Sequence, residues 1–216
     1  MRNLILPVLT ILTLMQCCAP TRNHIVPDKV AKEIFSPAEL KGIEEMIAYV
    51  DRQVSEVTKK TDINESYHSY FNGLESAVFP ALVKDTAKFK FLGTIDEEAF
   101  STIWRMDDHT EMVKTKDTVL TDLHGYQLLE LNYNGKYLNY LKEIGKTDKH
   151  YADIYKSIEI AGDLSPSAFA WFREHHQELD FTRFKDRLWA TVILLRIGDP
   201  LEEKVERYLK NQKPNK

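Results

Sequence analysis

The chain has 216 residues, 43% hydrophobic and 29% charged, which is enough for one compact domain with a sizeable core. Its 8 glycines and 8 prolines are too few for a collagen-like or low-complexity chain. A formal net charge of −4 leaves no surplus of Lys and Arg to neutralise a phosphate backbone, which argues against nucleic acid as a partner.

Arg2 precedes an apolar run from Leu4 to Met15, interrupted only by Pro7 and two threonines. A charged start and a short apolar middle are the marks of an export signal, and the run falls short of the roughly 20 apolar residues that span a bilayer. Residues 1–17 are therefore expected to be a signal peptide that is removed. The run ends in Leu14-Met15-Gln16-Cys17-Cys18, which resembles the lipobox of bacterial lipoproteins, with a Leu three residues before a Cys. The resemblance covers these residues alone. It implies lipidation at Cys17 or Cys18 and a lipid-anchored, periplasm-facing location in the bacterial cell envelope. Gln16 stands where that family has a small residue, so which cysteine is modified stays open. The plain alternative is a secretory peptide with two incidental cysteines.

These are the only cysteines in the chain, so the exported domain is expected to fold without a disulfide and without a thiolate metal site. Arg2 is the only charge lost with the signal, leaving a net −5. Such a surface is not drawn to anionic lipid, so membrane attachment is expected through the lipid anchor.

Residues 18–35 carry Pro20 and Pro27 without sustained periodicity and read as a tether, followed by a single helical domain over 36–211 and a loose tail over 212–216. Ser36-Pro37-Ala38-Glu39 opens the domain as N-cap, first-turn proline and capping-box acid. Leu40, Ile43, Ile47, Val50, Val54 and Val57 then recur at spacings of three and four, one apolar stripe of a packed helix. A second helix is expected from Asn64 to Phe79, with Tyr67, Tyr70, Phe71, Leu74 and Val78 on one face and Pro80 as its stop. A third is expected near Thr94, burying Ile95, Ala99, Phe100, Ile103 and Trp104. Between Asp107 and Asn134 the pattern is weakest. Asn134-Gly135 fits a two-residue hairpin turn, but Tyr137, Leu138, Leu141 and Ile144 fit a helix ended by Gly145; the helix from Lys136 is preferred, with a short strand before it.

Helical signals resume at Asp148. Tyr151, Tyr155, Ile158 and Ala161 define a helix ended by Gly162, and Ser165-Pro166 restarts the chain as N-cap and first-turn proline. Leu188 to Ile197 is apolar nearly all round, so that helix is expected to run through the middle of the core. Asp199-Pro200-Leu201-Glu202 opens the last helix, whose acidic start and basic end suit the helix dipole. The fold class read from these elements is mainly α, a compact helical bundle with room for a short strand or hairpin in the region 107–135.

Arg173 to Asp180 holds the densest set of ligand-type residues. On a helix His175 and Glu178 are three apart and could face one metal ion, but zinc sites need three or four protein ligands. His176 falls in the stripe Phe169, Phe172, His176, Leu179, where a histidine hydrogen-bonded in or at the edge of a core is the ordinary reading. Glu65 and His68 form one E-x-x-H, the unit that ferritin-like carboxylate bundles use twice, and no second copy exists. Asp107-Asp108-His109 reads as a solvated turn, and His124 and His150 have no partner that spacing assigns. Glu75-Ser76 resembles the Glu-Ser pair of lytic transglycosylases, but the Gly-Leu-Met-Gln segment expected downstream is missing.

Six of the ten tyrosines fall between Tyr126 and Tyr155. Tyr133, Tyr137 and Tyr140 could line a groove for a sugar or peptide, since tyrosine presents a flat apolar face and a polar tip. Their spacing also matches the half-buried edge of one helix, the preferred reading. No cofactor is called for. The reading that emerges is a lipid-anchored envelope protein with a non-catalytic binding or scaffolding domain, its partner an envelope protein or glycan. The alternative is a metal-dependent or glycan-directed hydrolase using His175 and nearby acids.

Overall fold

A computed structural model of the protein describes residues 25–74, 81–108, 112–121, 123 and 126–212. Cys17, Cys18, the Glu75-Ser76 pair, His109 and His124 lie outside the described residues. Within them the fold is mainly α, as its sequence periodicity requires. None of the described helices is long and apolar enough to cross a membrane.

Helix α1 (Lys29–Ile34) is the first departure from expectation, because the segment read as a tether is folded from Ile25 onward. Asp28 caps it, its carboxylate accepting from the Ala31 N–H at 2.8 Å. Ile25, Ala31 and Phe35 are buried, and the other Asp28 carboxylate oxygen accepts from the Tyr140 hydroxyl at 2.6 Å. Pro20 and Pro27 signalled a linker, but three apolar side chains close to the domain were enough to dock part of it.

Helix α2 (Pro37–Thr58) begins with the expected capping box: the Glu39 N–H donates to Ser36 Oγ at 3.2 Å, and the Ser36 N–H donates to Glu39 Oε2 at 2.7 Å. Its stripe packs inward through Ile43, Ile47, Val50 and Val54, while Val57 at the end of the stripe is 61% exposed. Gly42 permits the next contact, since a Cβ there would stand 2.3 Å from Ala99 Cβ on α5 (Glu97–Ser101).

Helix α3 (Ile63–Asn72) is shorter than its periodicity predicts and is capped by Asp62. Helix α4 (Asp85–Leu92) follows, and then α5, which ends before Ile103. Trp104 therefore opens strand β1 (Trp104–Asp108) instead of closing a helix. That strand pairs antiparallel with β4 (Gln127–Leu131), Trp104 opposite Leu131 and Arg105 opposite Glu130, where the two side chains also form an ion pair. A smaller ladder joins β2 (Val113–Lys114) to β3 (Val119–Leu120). The expected strand before Lys136 is thus half of a two-stranded ribbon with a distant partner, because Trp104, Leu129 and Leu131 bury against the helices.

Helix α6 (Lys136–Gly145) follows the ribbon and packs against α7 (Lys149–Ala161), as short helix–helix connections favour. Gly145 does more than end α6: a Cβ there would meet the Ala152 backbone at 2.9 Å, so the two helices touch. Gly162 closes α7 in the left-handed conformation at φ 77°, the role its sequence position predicts. Helix α8 (Pro166–His175), a 3₁₀ turn over His176–Glu178, α9 (Phe184–Arg196) and α10 (Leu201–Gln212) complete the chain.

Helix α9 is the axle of the core, with eleven of its 13 residues buried, which fits an apolar composition on every face. Its two buried charges are both engaged. Arg187 donates through Nε to the Phe181 carbonyl at 2.7 Å and through a terminal nitrogen to Asp51 at 3.2 Å, and Asp51 also accepts from the Tyr67 hydroxyl at 2.8 Å. Asp186 accepts from the Tyr151 hydroxyl and, at 3.1 Å, from the Asp180 N–H. Asp199, expected to open α10, is drawn into a buried charge cluster instead. It accepts from the Asp85 N–H at 3.2 Å and from Arg207 at 2.8 Å.

Candidate functional site

The residues singled out by sequence do not converge. His175 Nδ1 and Glu178 Oε1 do meet, at 2.8 Å, but both side chains are substantially exposed. Among the described residues, no three His, Cys, Asp or Glu side chains come together in a group that could hold a metal ion. Tyr137 and Tyr140 are each 1% exposed, whereas Tyr133 is 49% exposed in the turn before α6. The three tyrosines therefore do not line one groove, and the two on the helix are core residues.

His176 fulfils its core reading in a specific way. It is 2% exposed, lies against the Phe71 and His68 rings, and its Nδ1 is 3.0 Å from His68 Nδ1. One imidazole donates and the other accepts, so the hydrogen bond requires both to be in opposite tautomers. Burial, reinforced by the His68 charge, pushes the His176 pKa down to about 4. Burial also lowers the pKa of His68, against the pull of Asp180. This pair joins α3 to the end of α8 as a neutral clasp.

The buried charge cluster at the α4–α10 junction is held by ion pairs among its own residues. Lys88 pairs with Asp85 at 2.8 Å, Arg207 reaches both Asp85 and Asp199, and Lys84 and Lys204 complete the shell. A cavity of about 340 Å³ adjoins it, lined by Met112, Tyr126, Leu201 and Lys204 among others, but it borders residues outside the described ones.

A different place is open. Helices α7 and α8 meet at the His150–Trp171 ring pair, and a cleft of about 280 Å³ lies between them. That is close to the lower end of small-molecule pockets. Ile154, Ile158, Leu164, Ala168 and Trp171 give it apolar walls, and Trp189 of α9 lies against it. Ser157, Ser165, Ser167, Asp153 and His150 supply its polar atoms. Ser165 occupies the N-cap position of α8, but its hydroxyl meets Ser167 Oγ at 2.7 Å instead of capping the helix. Asp153 is held by Lys149 in an ion pair.

His150 stacks on Trp171 with ring centres 4.0 Å apart and planes 25° apart, and Trp171 in turn stacks on His175 at 5.0 Å and 13°. The His175 that sequence proposed as a ligand is thus the outer member of a three-ring stack beside the cleft. Burial holds the His150 pKa below its ordinary value, against the opposing charges of Asp148 and Asp186. Two of the lining residues each carry a ring nitrogen that is sealed from solvent and has no hydrogen-bond partner among the described residues, His150 Nε2 and Trp189 Nε1. Trp189 itself is 1% exposed.

Sequence reading assigned Trp189 to the core and left His150 without a partner. No local signal links them, because they lie on helices separated by α8, and only the packing of α7 onto α9 brings them to one cavity. Compared with protein-family models, curated proteins and solved structures, the chain matches none. The site must therefore be argued from its own chemistry.

Proposed function

We propose that the protein is a lipid-anchored component of the bacterial cell envelope, facing the periplasm, whose helical domain acts by binding through the α7–α8 cleft. The anchoring half of this reading is supported by the short apolar run that ends at Cys17-Cys18. The binding half is carried by one observation: a cleft of about 280 Å³ with apolar walls and a few polar side chains, Ser157, Ser165 and His150 among them, opens between α7 and α8. An envelope peptide or glycan is the class of partner that fits the address.

Intact-mass analysis of the membrane fraction tests the anchor, with acyl mass expected on Cys17 or Cys18; recovery of an unacylated chain in the soluble fraction overturns it. For the cleft, thermal melts compare wild type with Ala168→Phe, which fills the cavity, in the presence of a soluble muropeptide or an N-acetylated apolar tripeptide. One of the two is expected to raise the wild-type midpoint by a few degrees, through linkage of binding to folding, and neither to raise that of the filled variant. Equal responses from both variants remove the cleft as the site. Cleavage of either fragment, abolished by His175→Ala, promotes the hydrolase alternative instead.

A further inference from the structure

Resting on the lipid-anchor reading, we infer that the domain is held with its α1 end against the phospholipid headgroups and its α10 end away from them, because the chain joining lipid to fold is too short to let it turn over.

The first argument is where that chain ends. Ile25 is 6% exposed, and Asp28 fixes the backbone just after it by capping α1 and accepting from the Tyr140 hydroxyl. Cys18 stands seven residues before Ile25 and Cys17 eight. Even fully extended, such a stretch spans at most about 25–29 Å. A domain running from residue 25 to 212 has a radius of gyration of about 16 Å, which for a solid sphere is a width of about 40 Å. The tether is therefore shorter than the domain is wide, whichever cysteine carries the lipid. A surface on the far side from Ile25 cannot reach the bilayer, and the surface around Ile25 cannot leave it by more than the tether's length.

Helix α9 gives the second argument, because it defines which surface is the far one. At its first residue, Phe184 meets the Tyr140 ring with centres 6.2 Å apart, and Tyr140 also packs on Phe35 and bonds Asp28, so α1 sits at this end. About 20 Å along the axis, α9 ends at Arg196. The next residue, Ile197, accepts from Lys88 through its carbonyl, and Asp199 is held by Arg207 of α10. Helices α1 and α10 thus occupy opposite ends of one buried helix. Leu201 and Leu209, 40% and 39% exposed, mark the far end, and Met112 lines the same cavity as Leu201.

The third argument is the chemistry of the near end. Val26 is 66% exposed, and α1 turns Lys29 and Lys32 to solvent, with Glu33 already paired to Lys29 at 3.7 Å. A small apolar side chain beside long cationic ones suits a headgroup layer, where the ammonium groups meet phosphate oxygens. These few groups do not bind a membrane unaided, so the tether sets the orientation and the side chains only tolerate it.

The test uses the full lipidated chain with carbon-13 methyl labels, reconstituted in phosphatidylcholine nanodiscs that carry a nitroxide on a fraction of their headgroups. Co-elution with the discs is measured first: a chain that does not co-elute ends the anchor reading, and this inference with it. In chains that do co-elute, loss of the Val26 methyl signals is expected, with those of Leu201, Leu209 and Met112 retained. Val26→Ala assigns the Val26 signals by removing them. A variant with about 20 Gly and Ser residues inserted after Arg22 has a tether longer than the domain is wide, and its Val26 signals are expected to return. Equal loss at both ends of the wild-type domain, or greater loss at Leu201 or Met112, overturns the orientation while the anchor stands. Persistence of the Val26 loss in the lengthened variant overturns the tether as its cause. Broadening at Val26 that needs no nitroxide and rises with the number of chains per disc assigns the near end to a second copy and overturns the membrane assignment.

Discussion

Helices α9 and α8 are close in sequence and similar in apolar content, yet they are built to opposite ends. In α9 eleven of 13 residues are buried and each buried charge has found its partner, whereas in α8 only Phe172 among 10 residues is buried. The first packs against α2 and meets α6 and α7 through the Tyr140–Phe184 ring contact and the Tyr151–Asp186 hydrogen bond, so both of its buried charges had to be paired inside the protein. The second is tied down chiefly at its C-terminal end, through the His68–His176 clasp, the contacts of Phe172 with Phe71 and Phe181 and the stack of Trp171 on His150 of α7, and borders the open cleft on its α7 side. Close packing is concentrated at α9 and open space at the α7–α8 cleft. A binding site benefits from that arrangement, since a fixed wall bearing Trp189 faces a wall that few contacts hold.

The sharpest way to break this comparison is to attack the axle. Arg187→Met leaves the Phe181 carbonyl without its donor and Asp51 without its counter-ion, with only the Tyr67 hydroxyl still bonded to it, and removing one partner of a buried pair is expected to cost about 3–5 kcal/mol, read as a fall in the urea midpoint. A loss below about 1 kcal/mol would show that the network is not what holds α9 to α2. Next in size is Tyr137→Ala. With its ring 1% exposed, this change is expected to cost about 3 kcal/mol, against about 0.5 kcal/mol or less for Tyr133→Ala at an exposed turn. Equal effects would mean that the tyrosine cluster acts as a unit after all.

Acid sharpens the comparison at the joint between the two regions. The folded-state pKa of His176 lies near 4, below the ordinary value of about 6.5, so the unfolded chain takes up the proton first. Stability is therefore expected to be fully present above about pH 6.5 and to decline as pH falls toward about 4, because the unfolded chain is protonated while the folded His176 stays neutral. Chemical denaturation at a series of pH values should show this decline in wild type and a flatter curve in His176→Phe. The smallest effects belong to the flank. Ile160, 77% exposed on α7, should tolerate Ser within about 0.5 kcal/mol, and Ala168→Phe should leave the melting midpoint almost unchanged because it enters open space. A steep drop for Ala168→Phe would show that the cleft is closed in solution.

Local chemistry made much of the fold legible in advance. Ser36 and Glu39 bond each other across one helical turn, Gly162 adopts the left-handed cap that only its missing Cβ makes easy, and an apolar run from Leu188 announces a buried helix. Each signal is carried by residues within a few positions of one another, so the sequence contains both cause and effect. His176 was legible for the same reason, lying in the stripe of Phe172 and Leu179. Its partner was not, because His68 is 108 residues away.

What tertiary structure decided are the features that depend on which elements meet. Residues 25–35 lack helical periodicity, and α1 exists because Ile25, Ala31 and Phe35 find apolar surface on the domain. Trp104 satisfies a helical spacing and a strand equally well, and its pairing opposite Leu131 selects the strand. The cleft belongs wholly to this class. His150, Trp171 and Trp189 come from three helices, and no spacing rule connects them. Sequence by itself determines where helices start and stop, because caps and periodicity act over a turn or two. Whether two helices close on each other or stand apart is determined by the sum of distant packing contacts, and that sum left open space between α7 and α8.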